Sequence, residues 1–482
     1  MNPLYVLAII VLYFLVLMGI SYMTSRNQSD ESFFTGDRLS PWFLVAFGMV
    51  GAGLSGVTFV SLPGMVGNNS FYFYQFILGN IVGYLFITFV LIPLYFKLQL
   101  VSIYGYLSER FGKNTYKTGS LFFLISQSFG AALRLLLAAK ILQFAFFDAI
   151  HVPFAVTVII MLLLVWAYTN KSGIKTIVWT DTMQTTFLIL GAIITIYSII
   201  TSLDMSFGQS VNLVINHEYF KIFKWDVKSS NHFGKQFIAG MLVSIAMIGL
   251  DQNMMQKTLT CKNKWEAQKN TLAYSLILAV TQFLFLGLGV LLYVYAESKG
   301  ISLAIENGKL LDTDTLFPNL ALNHLGVLAG TFFILGIVAA SFSSVDSALT
   351  ALTTSFSYDF LDITNKPINK RKKLKNLVLM GFSIVIFLII MAFSNSRGDV
   401  ISLIFKIAGY TYGPLLGLYL IGMFSKVNVK DKWVPLVCII APFATYALSL
   451  LIESNFDFDF GFINIAVNAI LTILGLLLIK RT

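Results

Sequence analysis

Apolar runs of about twenty residues, separated by short polar segments, recur from one end of the chain to the other, and a run of that length crosses the hydrocarbon core of a bilayer as a helix. Thirteen candidate helices, α1 to α13, run approximately 3–23, 41–66, 74–96, 118–147, 153–168, 177–202, 236–256, 270–295, 324–357, 374–394, 399–424, 434–453 and 461–479. Composition agrees: 57% of the residues are hydrophobic and only 12% charged, where a soluble domain has about 25% charged. The expectation is an all-α integral membrane protein with about 13 transmembrane helices in one domain over 1–482. The run from Leu4 to Tyr22 lacks a basic start and a small-residue cleavage site, so it reads as a first, peripheral helix and not as a cleaved signal. Cys261 falls in a basic loop and Cys438 in a span, which suggests neither a disulfide nor a metal site.

Basic residues concentrate in alternate loops. Segments 24–40, 97–117, 169–176, 257–269, 358–375, 425–433 and the tail hold 23 of the 33 Lys and Arg, against seven in the opposite set. This asymmetry predicts a multi-pass protein of the plasma or inner membrane with its N-terminus outside and its C-terminus cytoplasmic. The run "NKPINKRKKLK", Asn365 to Lys375, reads as a cytoplasmic loop against anionic lipid and needs no nucleic-acid partner. A monomer is the expected assembly.

An ionisable group at a helix centre costs about 2.5–3.5 kcal/mol, so polar residues inside the spans are the functional evidence. In α2, "GMVGAGLSGVTFVSLPG" (Gly48 to Gly64) places five glycines, two serines, a threonine and a proline in one span. It reads either as a close-packing face or as a broken helix whose freed carbonyls bind a cation. In α7, "GMLVSIAMIGLDQNMMQKT" (Gly240 to Thr258) is short for a span and carries Gly249, Asp251, Gln252 and Gln256 near one end. Five helices separate the start of α2 from the start of α7, the spacing of a 5+5 inverted repeat made of α2–α6 and α7–α11, over 41–202 and 236–424, with 434–479 as two C-terminal helices.

In α9, "GIVAASFSSVDSALTAL" (Gly336 to Leu352) interrupts an apolar helix with serines and an aspartate. At about 1.5 Å per residue, Ala340 lies roughly 24 Å along from His324. Residues three and four apart share a face, which groups Ala340 with Ser343 and Ser344, and Ser343 with Asp346 and Ser347. Hydroxyls, a carbonyl and a carboxylate are hard ligands suited to sodium and not to zinc or copper. Asp181 in "IKTIVWTDTMQ" of α6 is expected at a comparable depth. The alternatives are an interfacial Asp181 and serines bonded back to their own helix.

On these motifs the chain resembles the sodium:solute symporter family, which includes sodium/glucose, sodium/proline and sodium/sialic acid symporters. The resemblance is carried by "ESFFTGDRLSPW" (31–42), "GLSGVTF" in α2, "SGIKTIVWTDTMQ" (172–184), "LDQNMMQKTLTCK" (250–262), "AASFSSVDS" (339–347) and "AGYTYGPLLGLYLIGMF" (408–424). It implies a LeuT-type fold with broken α2 and α7, and sodium-coupled symport by alternating access, with Na+ as coupling ion. The implied sodium ligands are carbonyls of Gly51, Leu54 and Ala340 and hydroxyls of Ser343 and Ser344. A second cation site would use Asp181, Ser343, Ser344, Asp346 and Ser347. Asp346 stands where sialic acid symporters carry a serine; strengthening the second site, carrying a proton and pairing with a lysine are all open to it.

The resemblance also implies solute contacts at Ser55, Thr58, Gln75 and Arg134, a pattern nearest the sialic acid symporters. Arg134, about 16 residues into α4, needs an anion, and its planar fork suits a carboxylate; an internal partner such as Asp181 is the alternative. A small carboxylate-bearing solute, sialic acid among them, is therefore expected. A neutral sugar or polyol is the alternative, disfavoured because Met247 replaces an aromatic gate and Gln75 a glutamate of the sodium/galactose symporters. Lys406, in α11, either binds solute or reaches outward to the interface. A channel would show a continuous polar stripe, an enzyme a catalytic constellation, and a sensor a signalling domain; none of these is evident in the sequence.

Overall fold

The computed structural model describes residues 3–25, 40–100, 102–169, 174–303, 305–306, 309–396, 400–456 and 458–481. Most of "ESFFTGDRLSPW" and the first two residues of "SGIKTIVWTDTMQ" lie outside the described residues. Among the described residues eleven helices are long and apolar enough to span a bilayer, and a bent pair makes a twelfth. In chain order α1 is Pro3–Ser25, α2 Trp42–Gly64, α3 Val66–Leu98, α4 Lys113–Ile150 and α6 Ile174–Ser202. The bent pair Phe233–Gly249 and Gln252–Thr258 is α7, followed by α8 Lys264–Ser298 and α9 Gly326–Asp359. Then come α10 Ile368–Phe393, α11 Val400–Phe424, α12 Val434–Phe456 and α13 Asn464–Leu478. The fifth predicted span, α5 Phe154–Thr169, is an apolar helix of only 16 residues. The non-helical exception to the all-α reading is a two-residue antiparallel ladder that pairs Ile305 with Leu310 and Glu306 with Lys309.

Burial sorts these helices into centre and rim. The most apolar stretch of α2 is 78% buried, whereas those of α10 and α12 are 17% buried. The rim helices are apolar all round and turn Leu388 of α10 and Phe443 of α12 outward, as lipid-facing helices do. The run Asn365–Lys375 departs from its expected form: Pro367 caps α10 and the helix begins at Ile368, so most of that basic cluster rides on its first turns. Several basic loops meet at one end of the bundle. Ser40 bridges to Cys261, Val429 to Lys480, and Arg110 donates to the carbonyls of Gly422, Ser425 and Val427.

Two central helices are broken, as the resemblance implies. Ser55 interrupts α2 with φ 40° and ψ 163°, outside the usual regions for a residue with a side chain. The two halves of α7 diverge by 68°. In a bilayer every freed backbone group must find a partner, and around the α7 break nearby side chains supply four of them. Tyr95 donates to the Gly249 carbonyl at 2.9 Å and Tyr104 to the Leu250 carbonyl at 3.0 Å. The Asp251 carboxylate caps the second half by accepting the amides of Asn253 at 2.8 Å and Met254 at 3.3 Å.

Glycine lets α7 and α3 touch backbone to backbone: a Cβ on Gly240 would collide with the Phe76 carbonyl, and one on Gly79 with the Phe237 carbonyl. Gly240→Val should therefore force the helices apart and destabilise the fold by about 1–3 kcal/mol, the usual cost of overpacking, read as a lower apparent melting temperature in detergent.

Candidate functional site

The site forms where α2, α6 and α9 converge. Glycines at 48, 51, 53 and 56 strip side chains from one stretch of α2, and neighbouring helices fill the space: a Cβ on Gly51 would strike Thr185 and one on Gly56 would strike Ser341. Thr185 then captures the Gly51 amide at 2.9 Å while its own hydroxyl lies 2.8 Å from the Asp181 carbonyl. A backbone N–H in mid-span is thus bonded to another helix, which holds α2 and α6 in register.

Across the seam, Ser344 Oγ lies 3.0 Å from the Ala340 carbonyl and 3.4 Å from the Ala52 carbonyl. A donor at 3.4 Å is a weak partner. The α2 break at Ser55 thus brings the Ala52 carbonyl and the Ser344 hydroxyl to the same seam. Gly51, Leu54, Ala340, Ser343 and Ser344 are all buried in this seam, and Ser341 Oγ, beside Gly56, has no hydrogen-bond partner. Carbonyl and hydroxyl oxygens crowded at a break, with no soft ligand among them, fit a hard monovalent cation.

Asp181 sits beside Gly48 and is fully buried. One carboxylate oxygen accepts the Ser343 hydroxyl at 2.5 Å and the other is 2.6 Å from Lys257 Nζ on the second half of α7. Lys257 is 1% exposed, so this is an ion pair removed from water. Asp346 and Ser347 are also buried, with the Ser347 hydroxyl donating to Asp346 at 3.1 Å. Tyr13 of α1 carries the electrostatic influence of both aspartates and accepts the Gln184 amide at 2.8 Å, which brings the peripheral helix to the rim of the same polar cluster.

On the other side of the α2 break is a cavity of about 90 Å³ lined by Ser55, Thr58, Arg134, Met247 and Tyr274 among others. Arg134 makes no ion pair among the described residues; Asp251, Tyr412 and Tyr274 are the groups nearest it electrostatically. Asp251 is itself committed to its cap and to the Tyr412 hydroxyl at 2.5 Å. Two further cavity-lining atoms are buried without a partner among the described residues, Asn80 Oδ1 and Gln282 Oε1, while the Tyr274 hydroxyl faces that of Tyr84. Gln75 stands apart from this cavity. Its amide nitrogen donates to the Tyr72 and Asn231 carbonyls at 3.0 and 2.9 Å, and its oxygen accepts the Lys224 amide at 3.1 Å, so it pins the 217–232 loop.

Sequence reasoning brought Asp181 and the α9 serines together but missed Lys257 as the partner of Asp181. Its signal was a lysine at the end of a span, six residues after Asp251. Asn80, Tyr274 and Gln282 were also missed, because single polar residues inside α3 and α8 resemble ordinary packing until a cavity aligns them.

Comparison with known proteins fits this geometry. A sequence model of the sodium:solute symporter family matches residues 33–430. The chain belongs to the sodium:solute symporter family. It is a multi-span membrane transporter that couples solute movement to sodium, not an enzyme. The sodium/sialic acid symporter NanT of Aliivibrio fischeri is 24% identical over 472 residues, covering 95% of this chain and 89% of NanT. The sodium/glucose cotransporter of Vibrio parahaemolyticus is 22% identical over 461 residues, covering 90% and 83%. The substrate-bound, outward-open structure of a Na+-coupled sialic acid symporter superposes with a TM-score of 0.82 at 20% identity, over 98% of this chain and 97% of that one. This likeness places the chain in the LeuT-type fold; near-equal identity to sialic acid and glucose carriers leaves the solute to be argued from the cavity.

Removing one partner of a buried ion pair strands the other charge, at a cost of about 3–5 kcal/mol. Lys257→Met should therefore lower stability by that much in sodium-free buffer, and the double variant Asp181→Asn, Lys257→Met should recover most of it; denaturant unfolding in detergent reads both.

Proposed function

We propose that this transporter carries a small carboxylate-bearing solute, with sialic acid as the leading candidate. The observation that carries the reading is Arg134, which lines a buried cavity with no ion-pair partner among the described residues, beside the unpartnered amide oxygens of Asn80 and Gln282. A guanidinium left so inside a membrane protein is costly, and a bound carboxylate, accepted by its planar fork, offsets that cost. The orphaned amide oxygens call for donors, so the solute also carries hydroxyl or amide groups. A sugar without a carboxylate would fill the second requirement but not the first. Ser55 and Thr58 contribute from the α2 break, and Gln75 acts through the loop it holds.

Sodium at the carbonyls of Gly51, Leu54 and Ala340 and the hydroxyls of Ser343 and Ser344 would fix the geometry of broken α2, the helix that also supplies Ser55 and Thr58 to the cavity. Each ligand then strengthens the other, which is symport stated as a coupling free energy. Asp181, Asp346 and Ser347 form the second cation site of this reading. The basic loops face the cytoplasm of the plasma or inner membrane, the N-terminus lies outside, and the chain works as a monomer in lipid. At a potential of about 100 mV each inward charge supplies roughly 2.3 kcal/mol, enough for about a fifty-fold solute ratio before the sodium gradient adds to it.

In proteoliposomes, labelled sialic acid should accumulate with sodium outside and not with potassium; equal uptake in both would refute the coupling. Arg134→Ala should abolish solute binding while sodium-dependent thermal stabilisation survives. Ser343→Ala should raise the sodium concentration for half-maximal uptake by about tenfold, the loss expected for about 1.4 kcal/mol of ligand interaction.

A further inference from the structure

At the rim of the bundle, α5 and α10 enclose a groove of about 420 Å³. Ile159, Leu163 and Trp166 of α5 line one wall, and Met380, Ile384 and Phe387 of α10 the other. Leu163 and Met380 are exposed, so the groove opens outward from the core. Ser383, the polar residue among its lining, has its hydroxyl turned back to the Leu379 carbonyl at 2.9 Å. The walls therefore suit a hydrocarbon chain and offer little to a polar ligand.

The groove lies where a short helix meets a long one. α5 has 16 residues, about 24 Å of helix, against about 30 Å of bilayer hydrocarbon, whereas α10 has 26 residues. Five spans apart, the two cross in opposite directions, so the end of α5 and the start of α10 lie at the same membrane face. Past the groove α5 continues from Trp166 for about one turn to Thr169, while α10 reaches back from Met380 for about three turns to Ile368. Along that extension, steps of three and four residues carry the groove face of α10 to Asn376, Lys373 and Lys370. Both lysines are exposed and make no ion pair or hydrogen bond among the described residues. Asn376 Oδ1 is buried and has no donor. Lys373 lies about 10 Å along the helix from Met380, slightly more than the 5–8 Å or so of an interfacial layer. The lysines thus stand at headgroup level when the groove stands in hydrocarbon, and Trp166 is of the residue type that marks the boundary.

We propose that the groove and these lysines form one binding site for an anionic phospholipid with a hydroxyl-bearing headgroup, of which phosphatidylglycerol is the type. An acyl chain lies between α5 and α10, the phosphate meets Lys370 and Lys373, and a headgroup hydroxyl donates to Asn376 Oδ1. Phosphatidylcholine supplies the chain but neither the net negative charge nor the donor. The bound lipid extends the wall where α5 stops and fastens α10 to its shorter neighbour.

The test is tryptophan quenching on the purified full chain in neutral detergent, titrated with trace phosphatidylglycerol or phosphatidylcholine brominated on the acyl chains. The Trp166 signal is the difference between wild type and Trp166→Phe. It should be half-quenched at a phosphatidylglycerol concentration about 25-fold below that of phosphatidylcholine, since about 1 kcal/mol for each lysine near an anionic group is about fivefold. The double variant Lys370→Gln, Lys373→Gln should lose this preference, Arg at both positions should keep it, and Ser383→Phe, which fills the groove, should weaken quenching by both lipids. Equal half-quenching by the two lipids in wild type overturns the proposal, as does a preference that survives the double Gln substitution. Absence of Trp166 quenching in a chain that sediments as a dimer also overturns it and assigns the face to a second copy.

Discussion

Inside a bilayer a helix cannot break for free, because each released N–H and C=O must be satisfied by protein. This chain breaks two central helices and treats them differently. At α7 the freed carbonyls of Gly249 and Leu250 are taken by Tyr95 and Tyr104, and Asp251 caps the restart. At α2 the backbone turns at Ser55, and the Ala52 carbonyl lies 3.4 Å from the Ser344 hydroxyl of α9. The first break is closed by side chains of the protein itself. On the proposed reading a cation completes the second, and ion binding would then be a condition for holding α2 in one geometry.

The charges beside that seam obey the same constraint. Asp181 is kept in the membrane by Ser343 and Lys257, and since Lys257 rides on the second half of α7, the pair ties the α6–α9 side of the seam to the other broken helix. On the proposed reading, ion binding near Ser343 and the position of α7 would be linked through this one carboxylate. Asp346 adds a second carboxylate, with Ser347 as a donor, close enough for Tyr13 of α1 to feel both. Lys257 is held by Asp181.

Much of this was legible in the chain because membrane physics amplifies sequence signals. An apolar run of fixed length announces a helix, and glycines packed as in Gly48–Gly64 or serines as in Ser341–Ser347 announce that the helix is not ordinary. What the sequence hid depended on tertiary direction. The partner of Asp181 lay 76 positions away, and nothing in the periodicity of α7 told which way Lys257 would point once the helix bent by 68°. Gln75 shows the reverse: its residue type matched the family's pocket, yet local geometry turned its amide to the backbone of Tyr72, Lys224 and Asn231. The basic run at the start of α10 likewise followed a local rule, the helix start set by Pro367, over a reading by composition.

The central claim is that sodium completes the break in α2. Hydrogen–deuterium exchange of the purified chain, in sodium against equimolar potassium, tests it most directly. Sodium should slow exchange of the amides around Ser55 and along Ala340–Ser347 at least tenfold, leave those around the α7 break at Gly249–Gln252 little changed, and lose this effect in Ser344→Ala. Identical exchange around Ser55 in the two salts would contradict the account.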